Sequence, residues 1–252
     1  MIQRCNDARL AFRPVLPIAS ILQHLAPARV QFTTNARLIK GNRLIDLFVE
    51  PGRVNPEILG LEREALRRVK TPRGRRDRYG DTENRLTRAD IIDKLQRENL
   101  LPAITFIFSR AGCDAAVKQC LQAGIKLTSA EERLEIITTA QRYTQNLAEE
   151  DLEVLGYRDW LLALERGIAA HHAGLLPSFK GAVEDLFKRG LVKAVFATET
   201  LALGINMPAR TVVLEKLTKW NGEAHVSITP GEYTQLTGRA GRRGIDIEGN
   251  AV

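Results

Sequence analysis

The chain has 252 residues, 44% hydrophobic and 27% charged, a balance that excludes a disordered or fibrous protein and leaves room for a sizeable core. Three cysteines without CxxC spacing exclude a disulfide framework or a zinc finger. The longest apolar run, 103–108, is too short to cross a bilayer, and the first ten residues hold no signal segment, so the expected setting is cytoplasmic, without a membrane. The formal net charge is +7. Seven of the basic residues, Arg67, Arg68, Lys70, Arg73, Arg75, Arg76 and Arg78, crowd one stretch against Asp77 alone. The rest of the chain is nearly neutral, so bulk charge says little about a polyanionic partner for the folded part.

Residues 1–50 read poorly, because Pro14, Pro17 and Pro27 interrupt every periodicity. Residues 51–87 combine prolines, glycines and the basic cluster, the composition of a solvated linker or surface loop. From Arg88 the pattern becomes regular. A helix is predicted over Ala89–Glu98, a buried strand over Ala103–Ser109 and a helix over Ala111–Gln122 that stops at Gly124. Ser129 and Glu132 form a capping box opening another helix. Asp151–Arg166 reads as one helical stretch and Ile168–His172 as a short strand. Ser178 is expected to cap a helix with Phe179, Val183, Leu186 and Phe187 on its inner face, closed by Gly190. Strands follow at Lys193–Thr198 and Thr211–Leu214. Thr229, Pro230 and Glu232 then mark the start of the last helix. Strands alternating with helices imply an α/β fold with a mostly parallel sheet, whose ligand sites lie beyond the strands' C-terminal ends.

On the last helix Gln235, Arg239 and Arg242 are spaced to share one face, with Gly238, Ala240 and Gly241 between them. Two guanidiniums with little bulk around them suit a polyphosphate, because arginine forks bind phosphate oxygens bidentately and stay charged. Spacing alone equally fits a basic helix end favoured by the macrodipole. His171 and His172 are adjacent on a strand, so they point to opposite faces and do not converge on one metal ion; no metal site is expected. Cys113 and Cys120 read as packing residues on a helix, and Trp160 and Trp220 as packing residues rather than base-stacking platforms.

Four segments together resemble a known family. QLTGRAGRRG (Gln235–Gly244) resembles motif VI of superfamily-two helicases. ATETLALGINMPA (Ala197–Ala209) resembles motif V in its superkiller-type form, AAHHAGLLP (Ala169–Pro177) the block before it, and FIFSRAGCD (Phe106–Asp114) motif IV. The chain is thus similar to superkiller-type DExH-box RNA helicases, their bacterial HelY-type branch above all, over residues 88–252 and only faintly over 1–87. The resemblance implies a RecA-like fold, the second of two motor domains. It implies Arg242 as an arginine finger, with Arg239 and Gln235 beside it at the nucleotide and Gly204 and Asn206 coupling nucleotide to nucleic acid. It implies backbone contacts to single-stranded RNA or DNA from Ser109, Arg110, His172, Ala173, Gly174 and Thr198, of the sequence-independent kind a translocating motor needs.

Neither a GxxxxGK[ST] loop nor a DExH tetrad occurs in the chain, and those are the parts that cradle the phosphates and Mg²⁺. ATP with Mg²⁺ is therefore expected to be held mainly by a first RecA-like domain, in cis or in trans. This chain alone is expected to be inactive as an ATPase. The expected division is a remnant of that first domain's end at 1–50, a basic linker at 51–87 and the second motor domain at 88–252. Two alternatives stay open: a stand-alone nucleic-acid-binding module, and a non-functional gene fragment. A DNA-repair helicase of the same superfamily also fits, because backbone contacts do not separate RNA from DNA.

Overall fold

The structure, a computed structural model, describes residues 34–40, 43–50, 53–61, 63, 86–201, 207–242 and 244–252. The basic stretch 66–78, and Gly204, Asn206 and Arg243, lie outside the described residues.

The regular part begins with α1 (Arg88–Arg97), opened by a capping box between Thr87 and Asp90. Strand β5 (Ala103–Phe106) follows, buried along its length as its apolar run requires. Helix α2 (Arg110–Gln122) is capped by Ser109, whose hydroxyl accepts from the Gly112 N–H. Helix α3 (Ala130–Thr144) starts at the Ser129–Glu132 capping box. The single stretch expected over 151–166 is two helices, α4 (Glu149–Val154) and α5 (Tyr157–Glu165). Gly156 between them takes φ +68°, a left-handed conformation that turns the chain.

Strand β6 (Ile168–His171) leads to α6 (Pro177–Lys188). Leu176, not Ser178, is the N-cap of α6: Pro177 occupies the first helical position, where its missing N–H costs nothing, and no side chain caps. Its inner face buries Phe179, Ala182, Val183, Leu186 and Phe187, each contributing roughly 1.5–3 kcal/mol for the larger side chains. Strands β7 (Ala194–Ala197) and β8 (Thr211–Leu214), a hairpin of β9 (Thr218–Trp220) and β10 (His225–Ser227), helix α7 (Pro230–Thr237) and strand β11 (Gly249–Ala251) complete this part.

The residues before Arg88 add four strands: β1 (Thr34–Lys40), β2 (Arg43–Asp46), β3 (Phe48–Glu50) and β4 (Arg53–Val54). The main sheet has the order β2-β1-β11-β8-β5-β7-β6, and every pairing in it is parallel except the edge hairpin β1–β2. This is the α/β, RecA-like architecture expected from alternating strands and helices. The sheet also crosses the boundary placed at residue 88, since β1 pairs with β11 through Thr34 and Gly249. Ile45, Leu47 and Ile58 bury against Ile228 and Tyr233 of the α7 region in a shared core. The described residues of 34–58 are therefore part of the same body as those of 88–252.

Two further cores cover the sheet. Ile104, Phe106, Ala169, Val195 and Val212 pack under α3, α5 and α6, while Ala103, Ile168, Ala194, Phe196 and Val213 pack under α1 and α2. Alternate residues of each strand feed opposite layers, as the pleat demands. Cys113 and Cys120 are buried on α2, where burial pushes the thiols up to about 12 and about 11. Among the described residues no helix is long and apolar enough to cross a membrane.

Candidate functional site

The residues singled out from the sequence form two groups, joined by the segment from Thr198 to Ala209. The first lies at the C-terminal ends of β5, β6 and β7. Ser109 and Arg110 leave β5 and open α2, both exposed. Ala173 and Gly174 are exposed in the turn after β6. His172, in contrast, is buried, and its ring is fully engaged: the Gly174 N–H donates to Nδ1 at 3.1 Å, and Nε2 lies 3.0 Å from Asp114 Oδ1 on α2. Because Nδ1 accepts, the proton sits on Nε2 and is donated to Asp114. His172 therefore ties the turn after β6 to the start of α2.

Gly174 closes this arrangement. A Cβ there would stand 3.1 Å from His172 Nδ1, tighter than an ordinary contact, so a larger residue would press on the ring that the Gly174 N–H holds. Thr198 is buried too, its hydroxyl 2.9 Å from that of Thr200, while its N–H donates to the His171 carbonyl at 3.3 Å. The histidine pair divides between the faces of the sheet. His171 points under α6, with Nε2 3.0 Å from Glu184, and His172 points under α2. Burial pushes the His171 imidazolium down, against the pull of the Glu184 carboxylate.

The second group lies at the opposite ends of the strands. Helix α7 runs back from Thr229 and ends at Thr237, with Gly238 as its C-cap. Arg239 and Arg242 are thus beyond the helix, and the shared helical face expected for Gln235, Arg239 and Arg242 does not extend to them. What replaces it is a backbone clasp. The Ala209 N–H donates to the Arg239 carbonyl at 2.9 Å, and the Gly241 N–H donates to the Ala209 carbonyl at 2.7 Å, a parallel bridge between Ala209 and Ala240. Gly241, at φ +90°, and Gly249 meet backbone to backbone.

Arg242 is held by Asp246. Nε donates to Oδ2 and Nη2 to Oδ1, both at 2.8 Å, and the Arg242 N–H donates to Oδ2 at 2.9 Å. The guanidinium holds the Asp246 carboxyl below its usual range, and the carboxylate pushes Arg242 up. Gln235 is exposed, and Arg239 is partly so. The donor set here is cationic and amide in character, which fits nucleotide phosphates. Among the described residues no group of three or more His, Cys, Asp or Glu side chains is placed to hold a metal ion, and Asp246 is committed to Arg242.

The model of the helicase conserved C-terminal domain matches residues 115–244, just over half of the chain. The chain belongs to that family. Its relatives place it in the superkiller-type branch. It is 56% identical to the probable helicase HelY of Mycobacterium leprae over 229 residues, covering 85% of this chain and 25% of that protein. It is 47% identical to the chloroplastic DExH-box ATP-dependent RNA helicase DExH15 of Arabidopsis thaliana over 169 residues, 65% of this chain and 13% of that protein. It is 38% identical to the antiviral helicase SKI2 of Saccharomyces cerevisiae over 172 residues, 68% of this chain and 13% of that protein. This chain therefore spans about a quarter of the length of its HelY relative.

An 85% match is longer than residues 88–252, so the likeness to HelY runs into the segment before residue 88. That agrees with the pairing of β1 and corrects the expectation of only a faint resemblance there. The sequence reading missed Asp114, Glu184 and Asp246. The first two are brought in by tertiary packing alone. Asp246 stands four residues after Arg242, and that spacing was the available signal.

Proposed function

We propose that this helicase C-terminal domain is the second motor half of an ATP-dependent helicase that moves along single-stranded RNA or DNA. A companion RecA-like domain carries ATP and Mg²⁺. The observation that carries the reading is the placement of the two described ends of the stretch between Thr198 and Ala209. Thr198 is hydrogen-bonded to the His171 carbonyl beside the His172–Gly174 turn, and Ala209 is paired with Arg239 and Gly241 in the clasp that precedes Arg242. One continuous piece of backbone thus links a surface suited to a polynucleotide with a surface suited to a nucleotide.

In this reading Arg242 reaches the transferred phosphoryl group across the interface and stabilises the charge that develops there. Arg239 and Gln235 bind beside it, and Gly204 and Asn206 lie on the connecting segment. At the other end, the Ser109 hydroxyl offers a donor to the nucleic-acid backbone, the exposed Ala173–Gly174 turn leaves room for that backbone to approach, and Arg110 supplies charge. His172 serves that surface by fixing the turn, and Thr198 by anchoring the start of the connecting segment. ATP and its Mg²⁺ supply the reactive phosphoryl bond when bound by the companion. This chain's own part is to orient, bind and complete the charge.

The test is ATP hydrolysis measured for this chain alone, for a companion first motor domain alone, and for their mixture, each with and without single-stranded RNA. Hydrolysis is expected only in the mixture and is stimulated by RNA. A folded chain that binds RNA but leaves the mixture inactive would overturn the motor reading in favour of a stand-alone binding module.

A further inference from the structure

The geometry points to Asp246 as the residue that positions Arg242 for transfer across the interface, a role that rests on the helicase reading above. An arginine side chain is long and loses its value as a phosphate ligand if its head is free to wander. Asp246 removes that freedom at both ends of the residue. One oxygen accepts from Nε at 2.8 Å and also from the Arg242 backbone N–H at 2.9 Å, and the other accepts from Nη2 at 2.8 Å. Head and backbone of Arg242 are bound to a single carboxylate, so the guanidinium is fixed relative to its own Cα.

The loop is built to deliver that carboxylate. The N–H groups of Ile245 and Asp246 both donate to the Arg242 carbonyl, at 3.0 and 2.9 Å, which closes one tight turn. The Asp246 side chain is 4% exposed and that of Arg242 23%. Its neighbours Ile245 and Ile247 stand out into solvent at 70% and 100% exposure. An acid turned inward between two outward isoleucines reverses the usual preference of both residue types, so what this turn places against Arg242 is the carboxylate and not an apolar side chain. The clasp of Gly241 on Ala209 and Gly249 fixes the base of this turn to the sheet.

The mode of contact distinguishes positioning from inhibition. A guanidinium held along its Nε–Nη2 edge directs its Nη1 edge the other way, and among the described residues no hydrogen bond engages Nη1, so that edge can meet a phosphate oxygen. Arginine is charged with or without a partner, so what Asp246 contributes is direction rather than charge.

The experiment uses this chain with its companion motor domain and RNA, comparing wild type with Asp246→Asn, Asp246→Glu, Arg242→Ala and the Arg242→Ala/Asp246→Asn pair. Thermal melts of each chain run alongside. Asp246→Asn is expected to lower kcat roughly 10- to 100-fold with KM for ATP little changed, the size of effect that misorientation of a reacting group produces. Asp246→Glu, which keeps the carboxylate, is expected to lose less. Asp246→Asn is expected to cost nothing further once Arg242 is alanine, because it acts through Arg242. An equal loss in both arginine backgrounds would mean a structural role and overturn the inference, as would a rise in kcat, which would mark Asp246 as an inhibitory latch. Loss on Arg242→Ala with no loss on Asp246→Asn would overturn this inference and leave the helicase reading standing. Unchanged turnover in Arg242→Ala would overturn both.

Discussion

Replacing Gly249 by alanine should destabilise this domain at the base of its arginine loop. A Cβ built on Gly249 would lie 2.5 Å from both the carbonyl carbon and oxygen of Ala240 and 2.7 Å from the Gly241 nitrogen. All three are backbone atoms, and they belong to the clasp that also pairs Ala240 with Ala209. Nothing flexible can yield, so either β11 or the loop must move. Overpacking of this kind costs about 1–3 kcal/mol. In a domain of this size about 2 kcal/mol corresponds to a melting temperature lower by roughly 4–8 °C. Gly231→Ala is the matched control. Its Cβ would meet only the Thr229 hydroxyl oxygen, at 4.0 Å, inside the first turn of α7. Alanine is the better helix former there by up to about 1 kcal/mol, so the same chemical change should raise stability. Thermal melts followed by circular dichroism would read both. A Gly249→Ala chain melting at or above the wild-type temperature would refute the packing argument.

Three further outcomes follow from the same structure. Ser109→Ala removes the cap of α2 and should cost about 1 kcal/mol, read by denaturant titration; an unchanged midpoint would contradict the capping geometry. Cys113 and Cys120, buried with thiols raised to about 12 and about 11, should resist a thiol reagent at neutral pH until the chain is unfolded; fast labelling of the native chain at either position would show that α2 is packed differently. Glu232 is held down to about 2, chiefly by Lys219 and then by the Thr229 N–H. Its folded-state value lies below the unfolded one of 4.5, so its contribution is present above that value and is lost as pH falls toward 2. Glu232→Gln should therefore narrow the stability gap to wild type between pH 5 and roughly pH 2–3, and a gap constant across that range would remove Glu232 from the account.

The fold was legible wherever local chemistry decides it. The run Ala103–Phe106 is buried end to end, and the boxes at Ser129–Glu132 and Thr229–Glu232 open helices where their spacing says they should. Reading failed where the deciding contact is distant. Nothing near Thr34 announces that its strand pairs with Gly249, more than two hundred residues on, so residues 34–58 looked detached from the domain they complete. It failed also where glycine breaks a helical pattern. Gly156 splits the stretch expected over 151–166, and Gly238 ends α7 before the arginines. The candidate site shows the same division. Adjacent histidines on a strand told their opposite directions by the pleat alone. That His172 binds Asp114 and Gly174, leaving its ring no spare nitrogen, required the packing of α2 against the turn after β6.

In the proposed motor Arg242 completes a nucleotide site held by another domain. Single-turnover ATP hydrolysis by this domain with its companion and saturating RNA, for wild type against Arg242→Ala, tests it most directly. The expected result is a loss of roughly 10³-fold or more in the hydrolysis rate with ATP affinity nearly unchanged, the signature of a group that acts on the transition state. A variant that hydrolyses ATP at the wild-type rate would contradict it.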